Sequence, residues 1–415
     1  MKVVAWVIVL LTLAVGFHSS GYVDRNPDAK ILMVVFVLHA VPVIALLVKA
    51  PLVRAFSLWI GVFLIVQYLL SPVLLADRRH FRTLTPNANR VIDVVEGIVP
   101  GVEGVQRLTT DERGFRAVPP VDYANKRGFR IFAMGASTTE QIKLDDHATW
   151  TYLLQEQLAA RSGQPVEVIG TGLSGTRSIH QLATFRHIIG DAPDCAVFLM
   201  GVNDWGKQIH EHYGSTQYRR EVSPDFLFME TLLGRALRVS ERAIYRALPL
   251  WTEPNLDGVV RKDYDELRRS RQDTFSKPDK RSLRLDTVDH APQLEEISEL
   301  CHSIEGQCLF LSQPHGYSPQ ATEEFRRRFW MTPAKTSYTL DIESMAAIAD
   351  LYNSYTRDFA RENGHDFIDI AAALPPTMEV FYDDIHFNLA GAQIVANVLT
   401  DGFLAGACGF KAEGE

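Results

Sequence analysis

The sequence predicts a three-layer α/β domain built on a mainly parallel sheet, preceded by two or three transmembrane helices. The first observation is a set of short runs, "FRIFAMG" (129–135), "VEVIGTG" (166–172), "CAVFLMG" (195–201), "CLFLSQP" (308–314) and "HDFIDIA" (365–371). Each is apolar on both faces, as a strand covered by helices on two sides must be. The second is the alternation of these runs with helical patterns near 149–161, 177–189, 342–363 and 389–405. Strand alternating with helix implies a parallel sheet. The third is the crowding of uncharged apolar runs at the N-terminus.

Those runs are 3–17, "VVAWVIVLLTLAVGF", then 31–48, "ILMVVFVLHAVPVIALLV", and Ala55 to Ala76. The last two match the roughly 20 apolar residues that cross a bilayer. The first is shorter and fits a spanning helix or the core of a signal peptide. With Lys2 inside, the Lys49/Arg54 loop is also cytoplasmic and everything after Ala76 lies outside. Arg78, Arg79 and Arg82 follow the third run directly and pull the other way, because positive charge favours the cytoplasm. The expected organisation is an anchor over 1–76, a Pro/Gly-punctuated connector over 77–127, and an α/β domain over 128–408. An insertion at about 206–300 interrupts that domain with an amphipathic stretch, "FLFMETLLGRALRVSERAIYRAL", and an Arg/Lys-rich segment between Arg261 and Arg284.

The net charge of −8 argues against a nucleic-acid surface. The four cysteines, Cys195, Cys301, Cys308 and Cys408, lack paired C-x-x-C metal spacing. Cys195 and Cys308 each open an apolar run, which favours buried free thiols; a Cys301–Cys308 bridge is the alternative in an oxidising compartment. "HEH" (His210 to His212) comes with no H-E-x-x-H pattern and reads as exposed histidines. No metal and no cofactor are expected.

"GTGLSG" (170–175) satisfies the dinucleotide fingerprint G-x-G-x-x-G after a strand. Other segments compete for that turn. "MGASTTE" puts Ser137 at the carboxyl end of the first strand, among small neighbours that let a substrate approach. On its own such a serine is more often a helix cap. "GVNDWG" puts Asn203 at the corresponding end of the third strand, as a side-chain amide donor or an ordinary turn residue. "FYDDIHFNLAGAQ" spaces Asp383 and His386 so that one tight turn can join carboxylate to imidazole, or so that both sit in an acidic surface turn.

Together, in this order, the segments resemble the SGNH (GDSL-like) hydrolase family, from about Phe129 to Leu404. "DERGFR", "DDHATW" and "FLSQPHGYS" are similar to its membrane-tethered or secreted bacterial branch. The first block reads Gly135-Ala136-Ser137 where the family name has G-D-S. The resemblance implies a flavodoxin-like three-layer fold and a serine esterase with Ser137 as nucleophile, His386 as base and Asp383 as its orienting carboxylate. It implies an oxyanion hole from the amides of Ser137 and Gly175 and the side chain of Asn203, which displaces the dinucleotide reading of the glycine turn. Asp384 then has no catalytic role, and Asp204 braces the loop. The expected substrate is an O-acyl ester, acetyl or short acyl, of a glycan or lipid. Polysaccharide O-acyl transfer through the same residues is the alternative, and a non-catalytic membrane-associated scaffold the second. The family's usual location places the domain outside the cytoplasm, periplasmic or at the cell surface.

Overall fold

The computed structural model describes residues 50–74, 80–213, 277–329 and 337–412. The chain divides into two compact units, one reaching from the N-terminus to Arg79 and including Ser215–Thr252, the other holding the rest. Of the first unit, helix α1 (Pro51–Leu74) is described. It arises from the third apolar run and exposes Leu52, Trp59 and Val62. Among the described residues no helix is long and apolar enough to cross a membrane. The runs 3–17 and 31–48 lie outside the described residues, as do Arg78 and Arg79.

The second unit opens with a hairpin, β1 (Asn89–Val99) and β2 (Val102–Thr109). There follow β3 (Phe129–Gly135), α2 (Ser137–Glu140), α3 (Trp150–Ser162), β4 (Val166–Gly170), α4 (Ser178–Ile188), β5 (Cys195–Leu199) and α5 (Val202–His212). After residue 276 come β6 (Asp279–Arg281), α6 (Ala291–His302), β7 (Gln307–Leu311), α7 (Glu323–Arg326), β8 (Tyr338–Leu340), α8 (Ile342–Glu362), β9 (Asp366–Ile368) and α9 (Leu389–Leu404). The main sheet is parallel, in the order β4-β3-β5-β7-β9. Renumbered along the chain this is 2-1-3-4-5, the doubly wound flavodoxin-like order, whose direction reverses between β3 and β5. Each predicted strand and helix is present with its bounds shifted by a few residues.

Side chains along the central strands alternate between two cores. Ile131, Ala133, Val197, Leu199 and Leu309 face α3, α5, α8 and α9. Phe132, Met134, Phe198 and Phe310 face α4, α6 and the end of α8. This two-sided burial is why the strands read as continuous apolar runs. β9, the edge strand, is only half-buried.

Several expectations need correction. The four cysteines are not free thiols: Cys195 is bonded to Cys408 and Cys301 to Cys308. The turn at 407–409 brings Cys408 back beneath the start of β5, a proximity set by the fold and not by spacing. Residues 77–127 are no plain connector, for they carry the β1–β2 hairpin and an antiparallel bridge from Arg116 to Gly170 at the edge of β4. The expected insertion is narrower on the described side. Its first residues continue α5, and its last belong to α6, which packs on β7. The amphipathic stretch and the Arg/Lys-rich segment up to residue 276 lie outside the described residues. Of the two histidines at the end of α5, His210 is buried and only His212 is exposed.

Candidate active site

Strand β3 turns directly into α2. A side chain at Gly135 would stand 2.0 Å from Thr139 Oγ1 and 3.0 Å from the Leu199 carbonyl, so glycine is required for the close approach. Ser137 is the first residue of α2 and lies half-buried at the carboxyl end of the sheet. A helix of one turn has little stability of its own, so it is held from outside. The buried Arg116 guanidinium donates to the carbonyls of Glu140 (2.5 Å), Gln141 (3.0 Å) and Leu144 (3.0 Å). Its Nε and Nη2 also reach Asp146 Oδ1 at 3.1 and 2.7 Å. The Trp150 indole donates to the Thr138 carbonyl at 3.1 Å.

The second component sits before α9. Phe381 and Phe387 bridge antiparallel and close a tight loop. Asp383 Oδ1 accepts the backbone N–H of Ile385 (3.1 Å) and His386 (2.8 Å), a local turn that needs no distant partner. His386 Nδ1 lies 2.9 Å from both Asp383 oxygens, and its Nε2 lies 2.7 Å from Ser137 Oγ. Asp383 is fully buried. Burial alone would raise its carboxyl pKa. The charge of His386, the hydrogen bonds from its ring and backbone, and the charge of Lys143 hold it below the ordinary value. The Tyr382 ring stacks parallel to the imidazole, with centroids 5.4 Å apart, and Lys143 Nζ stands 4.8 Å from the Tyr382 centroid.

The glycine turn completes the rim, and its three glycines answer to three constraints. At Gly170 a side chain would meet the Arg116 carbonyl at 3.3 Å. At Gly172 it would strike the Glu140 backbone nitrogen at 2.3 Å, so the turn lies directly on α2. Gly175 has φ +76°, and the space around its α-carbon is open. Asn203, in the first turn of α5, donates from Nδ2 to the Thr176 carbonyl at 2.8 Å. That amide nitrogen carries two hydrogens, and this bond uses one. The neighbouring Asp204 is buried and accepts from Ser178 N (3.1 Å) and Oγ (2.7 Å) at the start of α4. Burial pushes its carboxyl up to about 6 against these bonds and Arg177.

The structure thus brings Ser137, His386 and Asp383 into one hydrogen-bonded row and sets Asn203 against the residue after Gly175. Asp384 points elsewhere: its Oδ2 accepts the Tyr317 hydroxyl at 2.7 Å. A cavity of about 230 Å³ bounded by Tyr317, Arg326, Phe329 and Met345 includes none of the five candidate residues. Sequence reasoning passed over Arg116, Asp146 and Glu140. All three stand inside quoted segments, but nothing local separates a buried charge from a solvated one.

Residues 133–394, more than half of the chain, match the model of the GDSL-like lipase/acylhydrolase family. No curated protein matches the chain. Among solved structures, it is similar to LAE5, an α/β hydrolase enzyme from the metagenome of Lake Arreo, Spain, at 18% identity over 68% of this chain and 97% of that one, TM-score 0.36. It is also similar to Axe2, an acetylxylan esterase from Geobacillus stearothermophilus, at 14% identity over 66% and 92%, TM-score 0.34. A putative lipolytic protein of the G-D-S-L family from Desulfitobacterium hafniense DCB-2 matches at 11% identity over 66% and 98%, TM-score 0.35. The chain belongs to the GDSL-like lipase/acylhydrolase family, and is a carboxylic ester hydrolase.

Proposed function

We propose that the protein is a membrane-anchored serine esterase that removes an acetyl or short acyl group from a hydroxyl of a glycan or lipid outside the cytoplasm. One observation carries the chemistry: His386 Nε2 is 2.7 Å from Ser137 Oγ while Nδ1 faces both oxygens of a buried carboxylate. A serine hydroxyl is a weak nucleophile until a base takes its proton as it attacks. His386 takes that proton, and Asp383 holds the tautomer and stabilises the imidazolium without becoming protonated itself. A carboxyl kept below its ordinary pKa suits that role.

Ser137 Oγ then bonds to the acyl carbon, and the carbonyl oxygen becomes an oxyanion. The amides of Ser137 and Gly175 and the side chain of Asn203 are the donors assigned to it; losing one such donor typically costs about 3–4 kcal/mol of transition-state stabilisation. Collapse expels the alcohol, which takes the proton from His386. Water activated by the same imidazole attacks the acyl-enzyme and frees the acid and Ser137.

The location rests on separate supports. Three apolar runs lie within the first 76 residues, and α1 exposes apolar side chains. Two disulfides persist in an oxidising compartment and outweigh the arginines after Ala76.

One experiment tests both parts. Spheroplasts expressing the full chain or Ser137→Ala are treated with a charged, membrane-impermeant fluorophosphonate, before and after lysis. Labelling of the intact wild type in the membrane fraction, absent in the variant, is the expected result. Labelling only after lysis overturns the external location, and equal labelling of the variant overturns Ser137 as nucleophile.

A further inference from the structure

Glu140 is another buried carboxyl linked directly to parts of the site. Glu140 lies three residues after Ser137 on α2 and is 2% exposed. Its Oε2 accepts the backbone N–H of Ser174 at 2.5 Å and also the Ser174 hydroxyl. Ser174 is the residue before Gly175. On the other flank, the Thr176 carbonyl is held by Asn203. The segment 174–176 is therefore gripped from two sides, by the helix that carries Ser137 and by the helix that carries Asn203.

A carboxylate is an expensive choice for this place. Taking a carboxylate out of water is costly even after relaxation. Burial does push the Glu140 carboxyl up, against the Ser174 bonds and the charges of Arg116 and Arg90. A neutral residue of the same size would fill the space. What Glu140 adds is one oxygen that accepts both bonds from Ser174, with defined geometry. Those bonds hold Ser174 by its amide, in the peptide from Leu173, and by its side chain, and so fix the residue from which the peptide to Gly175 departs. Gly175 has a left-handed φ, no side chain and open space around it, so no packing of its own fixes it. Arg116 fixes the other end of the same lever through the Glu140 carbonyl.

We propose that Glu140 is a positioning residue for ester cleavage: it locks the Gly175 amide to the helix that carries Ser137, so that nucleophile and oxyanion donor keep one spacing. The proposal rests on the reading of Ser137 as nucleophile and Gly175 as donor. Glu140 does not touch Ser137 Oγ or His386, so its action is on geometry alone. A donor displaced by 1 Å costs on the order of 10²-fold in rate.

The test compares the full-length, detergent-solubilised wild type with Glu140→Leu, Glu140→Gln and Ser174→Ala. Active sites are titrated with a fluorophosphonate, and kcat per titrated site, KM for a p-nitrophenyl ester and inhibition by a boronic acid are measured. In Glu140→Leu, kcat per site should fall about 30- to 100-fold with KM within about twofold, and boronate binding should weaken in proportion. Glu140→Gln keeps an acceptor and should recover most of the rate. A merely structural role would instead lower the number of titratable sites and leave kcat per site and boronate affinity unchanged, which overturns the proposal while Ser137 stays assigned. If Glu140→Leu does not fold, Ser174→Ala decides: about 3- to 10-fold lower kcat per site supports the linkage, and an unchanged value overturns it. Failure of the wild type to titrate at Ser137 overturns the underlying reading and the proposal with it.

Discussion

The two halves of the candidate site are held in place by opposite means. His386 is positioned by its own neighbours: Asp383, three residues earlier, accepts two backbone N–H groups of the same turn and the ring nitrogen as well. Ser137 is positioned by residues far away in the chain. Arg116 precedes it and Ser174 follows it; the one bonds the Glu140 carbonyl of α2 and the other the buried Glu140 side chain. The β1–β2 hairpin spans the two halves. Arg107 N and Thr109 N donate to Asp145 and Asp146 in the loop after α2. The hairpin turn packs on Asn388, where a side chain at Gly101 would meet Nδ2 at 2.5 Å. A local turn keeps its geometry when the surroundings change, whereas a one-turn helix depends on every contact that clamps it. The chemistry should therefore fail independently of the fold on the His386 side and together with it on the Ser137 side.

The largest expected effect on turnover is on the local side. Asp383→Asn keeps an oxygen to accept from Ile385 and His386 N–H, so the turn should survive and thermal stability change little. The amide cannot hold the imidazole in the required tautomer, and kcat should fall by about 10⁴-fold. Turnover within tenfold of wild type would break the comparison, because Asp383 would then be a structural residue only.

Next in size is the remote side. Arg116→Met strands Asp146 without its cation and frees the Glu140, Gln141 and Leu144 carbonyls. Breaking a buried pair by removing one partner costs about 3–5 kcal/mol. Turnover should drop with it, by about 10- to 100-fold, as α2 loosens. Arg116→Met combined with Asp146→Leu removes the stranded charge; it should recover part of the stability in a denaturant titration but not the rate. Recovery of both would mean that the guanidinium is not what positions Ser137.

This division also explains what could be read in advance. The parallel strands were legible because burial on both faces leaves a continuous apolar run, and Asp383 and His386 because their pairing is local. The order of the blocks led to Ser137, Gly175 and Asn203. The hairpin has a signal of its own, the apolar Ile92, Val94, Val99 and Val102 about Pro100-Gly101, but Pro and Gly punctuation is equally that of a linker. Glu140 and Arg116 were illegible for a different reason. A charged residue near a helix looks the same whether water or a buried partner will receive it, and the partner is named only by the tertiary fold. The same holds for Cys195 and Cys408, 213 residues apart.

That disulfide gives the smallest expected effect on turnover and the sharpest test of the contrast. It joins the turn just past α9 to the start of the central strand β5, at the amino end of the sheet, away from the site. Cys195→Ala with Cys408→Ala should lower stability by up to about 5 kcal/mol, and Cys301→Ala with Cys308→Ala by about half as much, since the entropy of the unfolded chain grows with the loop released. Guanidinium titrations of both pairs check the order. If His386 is fixed by its own turn, the Cys195/Cys408 variant should nevertheless turn over ester within about twofold of wild type below its unfolding transition. A falling kcat at constant folded fraction would instead show that α9 transmits strain into Asn388 and His386. The His386 side would then be as dependent on distant contacts as the Ser137 side.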